Sequence, residues 1–179
     1  MSGESRSAET GSPAYGDGRP TLTSAVISMA AGVLALLTSA LFVGVGLVLG
    51  VLGLASMALG LFLSGSRGMI SFGVTSLFVC VLLAGSLSGA TPLMLLTSTL
   101  ALLVAWDTGH HAVTVGEQFG RATATRRGEL VHAAGGIIVG AVGAGFAYGI
   151  YVFGVGDRPA IAVILLVLGV VGLVWGLRD

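Results

Sequence analysis

The sequence predicts an all-α membrane protein, a polytopic helical bundle of about six transmembrane helices. Of its 179 residues, 55% are apolar and only 9% are charged, and the mean hydropathy is +1.02. An average soluble domain carries roughly 25% charged residues, so this chain lacks the charge that a water-exposed surface needs. Residues 22–63 contain no charged side chain at all. At about 20 apolar residues per crossing, that segment holds two spans joined by a tight turn.

The first 20 residues differ in composition from the rest of the chain. They are rich in serine, glycine and charged residues, and they contain too few apolar groups to offset the entropy of ordering. We expect residues 1–20 to form a disordered cytoplasmic tail. No separate apolar signal segment precedes the first span, which is therefore expected to remain uncleaved.

Residues 21–106 are predicted to hold transmembrane helices one to four, at about 22–41, 45–63, 69–87 and 92–106. A turn is expected near Val43 and Gly44. Pro92 suits the first turn of the fourth span, where its missing N–H costs little. Trp106 would then mark the membrane interface at the end of that span.

Residues 107–130 form the one long polar segment after the tail, and we expect an amphipathic arm on the cytoplasmic membrane surface. Glu117 and Arg121 are four residues apart in the favourable order for a helical ion pair, and Arg126 and Glu129 are three apart. The residues expected to contact lipid head groups or a partner are Arg121, Arg126, Arg127, Glu117 and Glu129. The alternative is a helical connector whose arginines only fix the topology.

Residues 131–177 are predicted to hold spans five and six, at about 131–153 and 160–176. The fifth span is dense in glycine, and small residues allow helix backbones to approach closely in lipid. We therefore expect it to be the most tightly packed helix. The glycines predicted to mediate helix packing are Gly46, Gly50, Gly136, Gly140, Gly145 and Gly149.

Arginine placement predicts the orientation. With six spans and the N-terminus inside, the outer segments hold only Arg158, and the inner segments hold Arg6, Arg19, Arg67, Arg121, Arg126, Arg127 and Arg178. Seven arginines against one fits the positive-inside rule. We therefore expect both termini in the cytoplasm.

Enzyme and cofactor signatures are not found in the sequence. It has no Gly-x-Ser-x-Gly elbow, no Walker loop and no His-Glu-x-x-His motif. Glu129 and His132 have the spacing of half a di-iron carboxylate motif, but the chain offers no second pair. His110 and His111 are adjacent, so on a helix they point about 100° apart. We predict no catalytic, cofactor or metal site.

The polar segment resembles a known group of proteins. Trp106-Asp107, the run Val115–Ala122 and the run Thr125–His132 resemble an uncharacterised family of multi-pass membrane proteins from halophilic archaea. Members of that family look like neighbours of MoxR-type ATPase genes. The resemblance implies a membrane location and a role in an assembly or chaperone system, with no assigned activity.

These observations favour a non-enzymatic membrane subunit or scaffold that docks a cytoplasmic partner through residues 107–132. The expected partners are the bilayer and a cytoplasmic or membrane protein, not nucleic acid. The alternative is a small transporter or channel for an uncharged solute, with a polar path lined by Thr75, Ser76 and residues 97–99. A third hypothesis, an enzyme acting on lipid at the inner surface, requires a metal bound by His132 and Glu129.

Overall fold

The structure, a computed structural model, describes residues 20–39, 44–87, 89–119 and 126–155. Within these ranges the chain forms helices and no strands. The helices are α1 (Leu22–Ser39), α2 (Gly44–Ala58, continued by a π-helical segment Leu59–Ser64), α3 (Arg67–Leu87), α4 (Pro92–Phe119) and α5 (Arg126–Ile150, continued by a π-helical turn Tyr151–Val155). The predicted all-α helical bundle is confirmed.

Five helices in the described ranges are long and apolar enough to cross a membrane, which is compatible with a membrane protein. Four of them match the first, second, third and fifth predicted spans within a few residues. The sixth predicted span, at 160–176, lies outside the described residues, as do residues 1–19 of the predicted tail. Of the predicted turn at Val43 and Gly44, the first residue lies outside the described residues and the second is the first residue of α2.

The fourth helix is longer than predicted. It does not end near Trp106 but continues to Phe119, for 28 residues and about 42 Å. The polar residues after Trp106 find partners within the bundle, and Ala112 and Val113 are buried there. Gly109 permits this continuation beside α1, because a Cβ at that position would lie 2.9 Å from the hydroxyl of Ser28.

The core lies between α1, α2, α3 and α4 in two clusters. The cluster in the middle of the bundle consists of Ala35, Met57, Val74, Leu77, Val81, Ala101, Leu102 and Ala105. The other lies nearer the start of α1 and consists of Ala25, Leu61, Ile70, Ala112 and Val113. Helix α4 contacts α1, α3 and α5, so it is the central element of the described bundle.

Helices α2 and α3 cross closely. A Cβ at Gly53 would lie 2.7 Å from the carbonyl oxygen of Gly73, and a Cβ at Gly73 would lie 2.5 Å from the carbonyl oxygen of Gly53. The two backbones therefore touch directly. Such contact is the usual basis of helix association in lipid, where burial of apolar surface no longer drives association.

The six glycines predicted to mediate packing are placed differently from one another. Gly46 is buried, and a Cβ at Gly50 would collide with the side chain of Leu36, as would one at Gly140 with Leu100. A Cβ at Gly136 would lie 3.5 Å from the carboxylate of Asp107. At Gly145 and Gly149, no atom of the described chain lies within 4 Å of that position.

Helix α5 is the least buried of the five, contrary to the prediction that it is the most tightly packed. In the most apolar 18-residue stretch of α5 no residue is buried, whereas 44% of the residues in the corresponding stretch of α1 are buried. The side chains of Val139 and Phe146 are each 73% exposed. The physical reason within the described chain is that α5 meets the other helices mainly along α4 and at the start of α1.

Candidate functional site

The polar residues of the described chain gather at one end of the bundle, where α1 and α5 begin, α2 gives way to α3, and α4 ends. We call this the polar end. It holds Thr21, which precedes α1, Ser24 of α1, Arg67 of α3, Asp107, His110, His111, Thr114 and Glu117 of α4, and Arg126, Arg127, Glu129 and His132 of α5.

Glu129 is a buried carboxylate at the polar end. Its side chain is 3% exposed, and its Oε2 atom accepts hydrogen bonds from the hydroxyl of Thr21 at 2.8 Å and the hydroxyl of Ser24 at 2.7 Å. The same atom accepts the backbone N–H of Ser24 at 2.9 Å. The predicted position on an exposed arm is therefore wrong for this residue.

The helix terminus of α1 explains this arrangement. The first N–H groups of an α-helix have no partner within the helix, and the aligned peptide dipoles favour a negative charge there. Glu129, from a different helix, caps the start of α1 in this way. The N–H of Thr21 also donates to the carbonyl of Ala112 at 3.1 Å. The beginnings of α1 and α5 and the last third of α4 are thus tied together.

Arg67 and Glu117 join α3 to α4 on the surface of the polar end. The guanidinium of Arg67 lies 2.7 Å from a carboxylate oxygen of Glu117 and donates to the hydroxyl of Thr114 at 3.2 Å. Both charged side chains are 48% exposed, so the pair contributes little to stability. The predicted pairing of Glu117 with Arg121 lies outside the described residues, because Arg121 is not among them.

Asp107 and His132 form a second link, between α4 and α5. The His132 Nε2 atom lies 2.9 Å from Asp107 Oδ2, and the two side chains are 41% and 52% exposed. The ring of His111 stacks on that of His132, with centroids 4.2 Å apart and planes 15° apart. His132 and Glu129 thus face different partners. Within the described ranges, no group of three or more His, Cys, Asp or Glu side chains is placed to hold a metal ion.

His110 has both ring nitrogens engaged by its neighbours. Its Nδ1 atom lies 3.0 Å from the carbonyl of Trp106, and its Nε2 atom accepts the indole N–H of Trp106 at 3.1 Å. The hydroxyl of Ser71 lies 3.3 Å from the same Nε2 atom. Because an indole N–H only donates, this geometry corresponds to a neutral imidazole with its proton on Nδ1.

Arg126 and Arg127 occupy the first turn of α5, and both are exposed. Neither has an ion-pair partner among the described residues. They therefore differ from Glu117, which is paired, and from Glu129, which is buried. Of the four described residues that were predicted to contact a partner, these two are the exposed ones with no ion-pair partner among the described residues.

Several grooves adjoin α4 in the described bundle, among them a small one of about 250 Å³ between residues 93–100 of α4 and 141–148 of α5. Another, of about 260 Å³, lies between α3 and α4 and is lined by Ser71, Thr75, Phe78, Thr99 and Trp106 among others. A third, of about 650 Å³, lies between α4 and α5, and we call it the α4–α5 groove. Its lining consists of Leu100, Leu103, Val104, Trp106, Asp107, His110, His132, Gly135, Gly136, Val139 and Gly140.

Most of the hydroxyls predicted to line a polar path bond to their own helices instead. Ser76 donates to the carbonyl of Phe72, and Thr97, Ser98 and Thr99 each donate to the carbonyl four residues earlier. This is the usual arrangement of Ser and Thr in apolar helices. Each of these hydroxyls has therefore used its single donor, and only its acceptor lone pairs remain for a solute.

Comparison with known proteins places the chain in a family. The family of unknown function DUF7519 matches residues 18–174, which is most of the sequence. The chain belongs to this family. No curated protein and no solved structure matches it. The match agrees with the predicted membership of an uncharacterised family, whereas the halophilic-archaeal source and the MoxR-type neighbours stay predictions.

Two features of this DUF7519 protein were missed by sequence reasoning: the cap of α1 by Glu129 and the Asp107–His132 link. A signal for the first exists in the sequence, because Thr21 to Ser24 read as a helix start rich in hydroxyls that lacks an acidic residue in its first turn. The second carries no local signal, since its partners are 25 residues apart in different helices.

Proposed function

We propose that this DUF7519 protein is a non-enzymatic integral membrane subunit or scaffold that docks a cytoplasmic partner at its polar end. The proposed orientation has the polar end and both termini inside the cell. It is supported by the positions of Arg67, Arg126 and Arg127, which all lie at that end of the described bundle, as the positive-inside rule requires of the cytoplasmic side.

The observation that carries the proposal is the exposed pair Arg126 and Arg127 in the first turn of α5. The macrodipole disfavours basic residues at a helix N-terminus by about 0.3–1 kcal/mol each. The stability of α5 therefore does not explain their position. Two residues further on, Glu129 fixes this turn against α1, so the backbone that carries the arginines is already ordered before a partner binds.

The chemistry of the two arginines indicates the kind of partner. A guanidinium binds carboxylates through two parallel hydrogen bonds, so an acidic surface on a cytoplasmic protein is the expected complement. Arg121 belongs to the same predicted set, and it lies outside the described residues.

The alternative, transport of an uncharged polar solute, receives less support. It requires hydroxyls free to face a path, and those of Ser76 and residues 97–99 are hydrogen-bonded to their own helices. Thr75 lines the groove between α3 and α4 together with mostly apolar neighbours. An apolar groove of this kind excludes rather than conducts a polar solute.

Co-purification from native membranes in mild detergent tests the proposal. We expect a cytoplasmic partner to accompany the wild-type protein and to be lost when Arg126 and Arg127 are both changed to Ala. Arg67→Ala is the matched control, because it removes one basic charge from the same end at a position that already has a partner. Equal recovery of partners with all three forms, or of none with the wild type, would contradict the docking role.

A further inference from the structure

The α4–α5 groove has one polar end and a long apolar remainder. Its apolar walls come from Leu100, Leu103 and Val139, and its polar end holds Asp107, His110 and His132. From residue 100 to residue 110 of α4 the groove extends about 15 Å. Its volume of about 650 Å³ falls within the range of roughly 300–1,000 Å³ for small-molecule sites.

Asp107 gives the groove its strongest polar group. Its carboxylate is 52% exposed, and among the described residues His132 is its ion-pair partner, through Oδ2. The groove lining includes Asp107, so this carboxylate faces the open space. At the same end, the Nε2 atom of His110 is already engaged by the indole N–H of Trp106.

The surroundings of Asp107 strengthen its effect. Most of the groove lining is apolar. In apolar surroundings a cationic donor gains more from a carboxylate than it does in water.

We propose that the α4–α5 groove binds a lipophilic amine, a single aliphatic chain that carries a primary ammonium group. The ammonium donates to the carboxylate of Asp107, and the chain lies along Leu100, Leu103 and Val139. A Cβ at Gly135 would meet no atom of the described chain within 4 Å, so the α5 wall is open beside Asp107. The groove narrows at Gly140, where the side chain of Leu100 packs against the α5 backbone. This ligand site is independent of the proposed docking role of Arg126 and Arg127.

Trp106 provides a natural reporter of occupancy, because it lines the groove beside Asp107. The chain has two tryptophans, so a Trp175→Phe background leaves Trp106 as the single fluorophore. The full chain in bilayer nanodiscs is titrated with three probes of equal chain length: dodecylamine, dodecanol and dodecanoate. Each carries a bromine near its head group as a quencher of tryptophan fluorescence.

The amine is expected to quench Trp106 at a concentration about tenfold lower than the alcohol or the acid. A hydrogen bond to a charged group raises affinity by about this factor. Asp107→Asn should abolish this preference, and this variant also controls for unequal partitioning of the probes into the bilayer. His132→Phe keeps an aromatic ring against His111 but removes the competing N–H. Amine binding to the His132→Phe protein should therefore be as tight as to the wild type or tighter. If His132 were needed only to hold α5 in place, this variant would instead bind the amine more weakly.

Filling the groove provides the steric test. Gly135→Leu should weaken amine quenching about tenfold or more, because a Cβ at Gly135 meets no atom of the described chain within 4 Å and the new side chain therefore projects into the groove. Gly143→Leu is the matched control, since Gly143 is equally open but does not line the groove. Equal quenching by the three probes, or a preference that survives Asp107→Asn, overturns the proposal. The proposal is also overturned if none of the three probes quenches Trp106, because the groove is then filled by the protein itself.

Discussion

Helix α2 is held against α3 by the direct approach of two backbones, whereas α5 is held against α1 and α4 by polar contacts near its first turns. At the first crossing, Gly53 and Gly73 bring carbonyl oxygens to within 2.5–2.7 Å of where a Cβ would lie. At the second, Glu129 and His132 supply an acceptor and an ion-pair partner.

The difference shows two solutions to the same physical problem. Lipid tails are as apolar as leucine, so helices in a bilayer associate through close packing or through hydrogen bonds rather than through burial of apolar surface. Close packing along a whole crossing leaves no space between the helices. Polar contacts hold the first turns of α5, and the next close contact is that of Leu100 with Gly140, so a groove remains between these two points.

The largest expected effect comes from Glu129→Ala, which breaks the polar attachment. The variant leaves the hydroxyls of Thr21 and Ser24 and one N–H without their acceptor, and it should lower the free energy of unfolding by about 3 kcal/mol. Thermal unfolding in detergent measures this loss. Glu129→Gln keeps an oxygen acceptor and should cost less than half as much.

Cysteine labelling separates detachment of α5 from global unfolding. Ala133 is 4% exposed beside Glu129, and the native Cys80, in α3, is 1% exposed. Two Glu129→Ala proteins are compared. One carries Ala133→Cys and Cys80→Ser, so its single thiol lies in α5; the other keeps Cys80 as its single thiol. The thiol at position 133 should react at temperatures at which Cys80 stays protected. Simultaneous reaction of both sites would show that α5 does not depend on polar contacts for its attachment.

The next effect in size is that of Gly73→Ala, which disturbs the close-packed crossing. The new methyl group would lie 2.5 Å from the carbonyl oxygen of Gly53 and from Cγ of Met57, so α2 and α3 must separate. Overpacking of this kind costs about 1–3 kcal/mol. The temperature at which Cys80 becomes reactive should fall accordingly.

Gly143→Ala is the matched control for that change, since α5 offers open space there. An alanine in a helix interior is favoured over glycine by about 0.5–1 kcal/mol, so this variant should be neutral or slightly more stable. If both substitutions had the same effect, the contrast between the two modes of attachment would be lost.

The same contrast explains how far sequence reasoning reaches in this protein. The bounds of α1, α2, α3 and α5 agree with the predicted segments within a few residues, because uninterrupted runs of uncharged apolar residues mark these helices in the sequence. The end of α4 was missed. Asp107 and Glu117 marked residues 107–119 as a surface arm, whereas their partners, His132 and Arg67, lie in other helices.

Glu129 illustrates why such partners escape local analysis. Its helical spacing to Arg126 favoured an exposed ion pair, but its carboxylate reaches Thr21, which is 108 residues away in sequence. Helical periodicity reports on neighbours three or four residues apart. It carries no information about which helix ends meet, so the polar end, and with it the α4–α5 groove, required the structure.

The smallest expected effect is that of Arg67→Ala, which tests whether surface charge at the polar end also holds the bundle together. Arg67 and Glu117 are 2.7 Å apart, but each is 48% exposed, and pairs of this kind contribute about 0–1 kcal/mol. A double-mutant cycle of Arg67→Ala with Glu117→Ala, followed by thermal unfolding, measures their coupling. The coupling should shrink further in high salt, which screens exposed charges. A coupling above about 2 kcal/mol would show that this pair, like Glu129, holds helices together. Polar contacts would then attach α3 as well as α5 to the rest of the bundle.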